Sequence, residues 1–172
     1  MKHYDVIALG ELLIDFACTQ TDADGYPVMA AHPGGAPANF LAALTRFGAK
    51  TAMISKVGTD AFGALLTGTL EKADIGTEGI VSSPDVFTTL AFVTFDPDGD
   101  RHFSFARKPG ADTCLTREEV PVELLDRTDT LHFGSLSLTN EPARSATQYA
   151  VAYAKEHGKL ITFDPNLRKP LW

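Results

Sequence analysis

Apolar residues in this chain follow two rhythms, short continuous runs and stripes of helical spacing, which alternate along most of its length. Residues 4–9 (YDVIAL) form a short apolar run closed by Gly10, and this predicts a buried strand. Glu11 to Phe16 continues extended, with Asp15 set among apolar neighbours. A carboxylate there is either a solvated strand end or a ligand contact, because an unpaired buried charge is costly. Asp22-Ala23-Asp24-Gly25 predicts a turn, and residues 26–31 a return strand. The run Gly34-Gly35-Ala36-Pro37-Ala38-Asn39 then opens a helix. Pro37 suits its first turn, and Phe40, Leu41, Leu44 and Phe47 recur along one face. Gly48 supplies a left-handed cap.

A second core strand is predicted over residues 50–57, followed by Gly58-Thr59-Asp60 capping a helix with Phe62, Leu65, Leu66, Leu70 and Ala73 on one side. The rhythm then changes. Residues 88–95 (TTLAFVTF) and 101–107 (RHFSFAR), joined by Asp96-Pro97-Asp98-Gly99-Asp100, predict a hairpin that pairs with residues 16–33. By the period of two, Arg101, Phe103, Phe105 and Arg107 share one face of the second strand. That face is either an aromatic wall over a ligand or one packed side of a sheet. The α/β alternation returns with a short helix near residues 118–126 and a strand at 130–133 ending in Gly134-Ser135. A helix over residues 141–157, with Ala143, Ala146, Ala150 and Tyr153 or Ala154 inward, leads to a strand at 159–163. Asp164-Pro165-Asn166-Leu167-Arg168 lies at the carboxyl end of that strand, where ligands collect in open α/β sheets. Together these elements predict an α/β fold, a parallel sheet flanked by helices, with a small inserted β-hairpin.

The chain has 172 residues, enough for one domain. Its formal net charge of −7 and the lack of any basic run argue against nucleic-acid and anionic-membrane partners. No apolar run approaches the roughly 20 residues of a membrane span, and no secretory signal opens the chain. Two distant cysteines, Cys18 and Cys114, read as reduced thiols and point to the cytoplasm. There is no GxxxxGK[ST] loop, no GxGxxG after the first strand, and no HExxH or other metal-ligand cluster.

The Gly34-Gly35 turn has two readings. It is a plain strand-to-helix connection, or a place where exposed helix N–H groups and the Asn39 amide meet a polar or anionic ligand. The longer pattern separates them. Gly34-Gly35-Ala36-Pro37-Ala38-Asn39, Gly48, Gly58 and Asp60-x-Phe62-Gly63 follow Gly10-Glu11 and Asp15 in order. Phe105-Ala106-Arg107, Ala111-Asp112 and Asp164-Pro165-Asn166-Leu167-Arg168 with Leu171-Trp172 complete the series. The whole set resembles the ribokinase-like (PfkB) carbohydrate kinases. The later stretches, with Gly134-Ser135-Leu136-Ser137-Leu138, look most like their fructokinase branch.

That resemblance implies ATP-dependent phosphorylation of a sugar hydroxyl, D-fructose to fructose 6-phosphate, with Mg²⁺ assisting. A 2-keto-3-deoxygluconate kinase or another ribokinase-like kinase is the alternative within the family. It assigns sugar binding to Asp15, Gly34, Gly35 and Asn39, and coverage of the sugar to Phe105 and Arg107 from the hairpin. Arg168 is assigned to the sugar and to transition-state support. The lid would comprise residues at about 16–33 and 88–107 and serve as a homodimer surface. The family's DTxGAGD-type run, which supplies the catalytic Asp and the anion hole, does not occur. The resemblance therefore makes residues 1–172 the N-terminal portion of such a domain, with its C-terminal part absent. It predicts a chain that lacks a catalytic residue and is inactive alone. A non-catalytic sugar-binding or dimerisation fragment is the reading from a different class.

Overall fold

A computed structural model describes residues 3–95, 98 and 101–172 of the chain. The hairpin loop expected at Asp96, Pro97, Gly99 and Asp100, and the facing of Arg101, lie outside what it describes. Two sheets organise the described residues. The larger contains five parallel strands in the order β5-β4-β1-β8-β9, formed by β1 (Tyr4–Leu9), β4 (Thr51–Gly58), β5 (Ile75–Ser83), β8 (Thr128–Gly134) and β9 (Leu160–Asp164). A smaller four-stranded sheet runs β3-β2-β6-β7, from β2 (Leu13–Thr21), β3 (Pro27–Gly34), β6 (Leu90–Phe95) and β7 (Arg101–Ala106).

Both faces of the parallel sheet are covered, and the apolar residues of β1 and β4 alternate between the two cores. In β1, Ile7 and Leu9 point to one core and Ala8 to the other; in β4, Ala52 and Ile54 oppose Met53 and Val57. Helices α1 (Ala36–Arg46) and α2 (Ala61–Lys72) close one face through Ala38, Leu41, Leu66 and Leu70. The short α3 (Val122–Leu125) and α4 (Ala143–Glu156) close the other through Leu124, Leu125, Ala146, Ala150 and Ala154. Small residues along α4 let its backbone approach the sheet closely. The face at Tyr153 resolves to Ala154, since Tyr153 instead donates to Asp126 at the surface.

Three expectations are corrected. Phe47 is 90% exposed beyond the last turn of α1, and Leu65 on α2 is also exposed. The buried stripe of α1 is shifted toward its first turn, to Pro37, Ala38 and Leu41. Strand β5 had no counterpart in the sequence pattern, because its glycines and hydroxyl residues dilute the apolar alternation. Glu11 and Leu12 interrupt the extended run between β1 and β2, where the chain leaves one sheet for the other.

The smaller sheet grows from the β1–β2 passage. β6 lies parallel to β2 (Ile14 opposite Leu90), while β3 and β7 flank them in antiparallel register. Phe16 anchors this sheet to the body, meeting Phe62 of α2 edge-on at 5.5 Å and stacking on Phe92 at 5.4 Å. At the other end of the large sheet, β9 is an edge strand with Leu160 63% and Phe163 50% exposed. These two side chains leave apolar surface on an open sheet edge.

Asp60 ties the two units together. Its Oδ1 accepts from the Phe62 and Gly63 N–H groups as the N-cap of α2, and its Oδ2 accepts from Thr88 N just before β6. Partial burial pushes its carboxyl up, but these N–H bonds outweigh that and hold it below the usual carboxylate range. Its contribution to stability is therefore present above the ordinary carboxyl value and is lost as pH falls through the lowered one. Asp60→Ala is expected to cost about 1–2 kcal/mol at neutral pH. Urea denaturation of variant and parent should show the difference shrinking as the pH is lowered; a difference that persists in strong acid would rule out the carboxylate as its source.

Candidate functional site

A cleft of about 120 Å³ opens at the carboxyl ends of β1 and β9, beside strands β2 and β7 of the smaller sheet. Each wall comes from a different element. Asp15 projects from β2, where it stands opposite His32 of β3. Gly35, Ala36 and Asn39 bring in the start of α1, Phe103 and Phe105 come from β7, and Leu136 from the turn after β8. Asn166 and Arg168 follow β9, and Glu11 and Leu13 line the bottom of the cleft.

The glycine turn is built for closeness. Gly35 has φ +115°, and a Cβ there would overlap the Glu11 carbonyl. Gly34 lines the wall from behind, and a Cβ on it would overlap the Asp15 carboxylate. Two glycines thus let β3 and α1 close around Asp15 and Glu11. After β9, the Asp164 carboxylate accepts from Asn166 N at 3.0 Å, and Asn166 takes φ +22°. This Asx turn reverses the chain and points Arg168 back at the cleft. The Arg168 guanidinium sits 5.4 Å from the centre of the Phe103 ring, and Phe103 stacks on Phe105 at 6.3 Å.

Acidic and basic side chains meet in the cleft. Burial raises the Asp15 carboxyl above the ordinary value, while Arg168 and His32 pull it back down. Glu11 is only 2% exposed, and burial raises its carboxyl to about 7. Its Oε1 accepts from Ala36 N at 3.0 Å, whereas Oε2 has no hydrogen-bond partner.

Of the residues expected at a site, Asp15, Gly35, Asn39, Phe105 and Arg168 line this one cleft, and Gly34 shapes it. Arg107 does not line it, contrary to its assigned place over the ligand. It is 4% exposed and forks onto Asp112, with Nη2 2.6 Å from Oδ2. Further donors reach the Leu136 carbonyl and Thr139 Oγ1, both at 2.9 Å. Four of its five N–H groups are thus engaged in the fold. Glu141, before α4, lies outside the cleft, and its carboxylate accepts from Ser145 N and Oγ. Those bonds hold it below the usual range and agree with a capping role. The sequence offered Phe103 only on a face that could be an aromatic wall or sheet packing, and Glu11 and Asn166 only as members of longer motifs, with no role of their own. The signal for Glu11 was a carboxylate placed directly before the apolar run Leu12-Leu13-Ile14.

Among the described residues, no group of three or more His, Cys, Asp or Glu side chains is placed to hold a metal ion. No helix among them is long and apolar enough to cross a membrane. Both cysteines are free thiols.

Comparison with known proteins agrees with this architecture. The family model described as "pfkB family carbohydrate kinase" matches residues 4–172. A probable fructokinase-2 from Arabidopsis thaliana is 44% identical over 97% of this chain, which spans 51% of that protein. The crystal structure of fructokinase from Xylella fastidiosa superposes with a TM-score of 0.92 at 32% identity, covering 97% of this chain and 52% of that one. A putative ribokinase II from E. coli, in complex with ATP and Mg²⁺, superposes with a TM-score of 0.88 at 32% identity, covering 97% of this chain and 54% of that one. The chain thus spans about half the length of the relatives it matches. With the family model matched from residue 4 to residue 172, the chain belongs to the pfkB family of carbohydrate kinases.

Proposed function

We propose that this chain supplies the sugar-binding half and the lid of a kinase that transfers phosphate from ATP to a sugar hydroxyl, with D-fructose going to fructose 6-phosphate. The observation that carries this reading is the convergence of Asp15, Asn39 and Arg168 in one cleft at the carboxyl end of a parallel sheet. A carboxylate, an amide and a guanidinium offer acceptors and donors for several hydroxyls of a polyol. The stacked Phe103 and Phe105 give an apolar wall for its carbon skeleton. Gly34 and Gly35 let the ligand lie close to the backbone. Arg168 also balances negative charge near the reacting hydroxyl.

ATP and Mg²⁺ would supply the phosphoryl group and its charge neutralisation. The residues present offer little toward a site for them: the described residues hold no group of three or more His, Cys, Asp or Glu side chains placed for a metal, and the sequence has no DTxGAGD-type run. No transfer step is therefore assigned to this chain, and we infer that it binds sugar but releases no ADP unaided. The smaller sheet acts as the lid and as a homodimer surface, in a cytoplasmic enzyme.

Calorimetric titration with fructose tests the site. Asp15→Ala is expected to weaken binding roughly 10- to 100-fold, the loss of about one or two charge-assisted hydrogen bonds. Equal affinity in parent and variant would remove Asp15 from the site. A panel of fructose, glucose, ribose and 2-keto-3-deoxygluconate names the substrate, and sugar-dependent ADP release by the 172-residue chain would contradict the division of labour proposed here.

A further inference from the structure

Two buried side-chain oxygens among the described residues lack a hydrogen-bond partner, Glu11 Oε2 and Ser135 Oγ. They lie on facing elements. A Cβ on Gly134, the residue before Ser135, would stand 3.6 Å from Glu11 Oε2. Glu11 is almost wholly buried and lines the cleft beside Asp15, Asn39 and Arg168. Its neighbour in the chain, Gly10, is fixed by Ser55, whose Oγ donates to the Gly10 carbonyl at 2.7 Å. A carboxylate with one oxygen unpartnered in a dry setting is costly, and the charge is far cheaper to neutralise than to bury.

The charged groups around Glu11 do not neutralise it. Arg107, at the end of β7, spends its charge on Asp112, so that pair offers Glu11 nearly cancelling influences. Across the cleft, Asp15 on β2 faces Arg168 after β9 and His32 on β3. Backbone N–H groups are what hold the Glu11 carboxyl, among them that of Ala36 in the first turn of α1, which donates to Oε1 at 3.0 Å. That donor favours the anion and burial favours the acid, which leaves the carboxyl poised near neutrality at about 7.

We propose that Glu11 is a positioning residue of the sugar cleft that works as a neutral acid, anchoring the first turn of α1 through Oε1 and taking up a proton when a ligand fills the cleft. The proposal rests on the reading of this cleft as the ligand site. Filling the cleft replaces the open, high-dielectric space along the wall that Glu11 and Asp15 share. With the dielectric beside it lowered, the charged form of Glu11 is less favourable still. A proton is then drawn from solvent onto Glu11, and the start of α1 stays pinned by the Ala36 N–H bond.

The test is fructose titration of the 172-residue chain at pH 7 in two buffers of different ionisation enthalpy. The parent is expected to take up a sizeable fraction of a proton per sugar bound, read from the buffer dependence of the heat. In Glu11→Gln, which keeps an acceptor for Ala36 N–H but does not titrate, that buffer dependence should vanish. A merely structural Glu11 would leave the proton count unmoved. Binding with no buffer dependence in the parent, or with the same dependence in E11Q, overturns the proposal while leaving the cleft reading intact. No binding of fructose by a folded parent overturns both. An independent readout needs no ligand. Because the folded acid holds its proton above the ordinary glutamate value, the parent should lose stability as pH rises from that value to about 7, and E11Q should not. Parallel stability curves for the two proteins over that window would also overturn it.

Discussion

Asp112→Ala is expected to cost about 3–5 kcal/mol of stability, because it strands the Arg107 guanidinium in a site with almost no access to water. The two side chains form a forked pair, with Arg107 Nε 2.9 Å and Nη2 2.6 Å from Asp112 Oδ2. Thr89 at the foot of β6 also donates to Asp112, and Arg107 continues to the Leu136 carbonyl at 2.9 Å. Both strands of the hairpin are thus fastened to one carboxylate, and through it to the turn that lines the cleft. The cost of the single variant is mainly that of an uncompensated buried charge. Replacing both partners with apolar residues, Arg107→Met with Asp112→Leu, should therefore recover most of the loss. Urea denaturation of the two singles and the double gives the cycle. Additive losses, or a single-variant loss under about 1 kcal/mol, would show that the pair is solvated and contributes little.

Gly35→Ala should cost about 2–6 kcal/mol and abolish ligand binding, whereas Gly48→Ala should cost only about 1–2 kcal/mol. Both glycines have positive φ, +115° and +92°. At Gly48 nothing lies within 4 Å of an added Cβ, so the penalty is the left-handed backbone alone. At Gly35 the added carbon also overlaps the Glu11 carbonyl, which cannot move without shifting the passage between the two sheets. That shift displaces Glu11 and the start of α1 together. Thermal or urea unfolding of the two variants measures the contrast, and fructose titration of Gly35→Ala measures the second half. Similar costs at both positions would mean that the close approach at Gly35 is relieved without strain.

The alternation of buried strands and helices was legible because the parallel sheet is covered on both faces, and continuous apolar runs such as YDVIAL have few other homes. The hairpin was legible from its two extended runs, and the glycine turn from its composition. The grouping of Asp15, Gly35, Asn39, Phe105 and Arg168 came from the order of family motifs, since nothing in local spacing brings residue 15 to residue 168. Strand β5 escaped because Gly76, Thr77 and Gly79 carry no apolar signal; it is held by its register on β4.

The sequence by itself determined the layered α/β fold, the caps at Asp60 and Gly48, and the family to which the chain belongs. Only the tertiary structure decided the fate of its charges. Arg107 reads as a free cation on a strand face until Asp112, Leu136 and Thr139 close around it. Glu11 reads as a polar break before an apolar run until burial leaves one of its oxygens without a partner. The reason is physical: apolar periodicity is set by neighbours a few residues away, whereas the solvation and pairing of a charge depend on whatever distant elements pack around it.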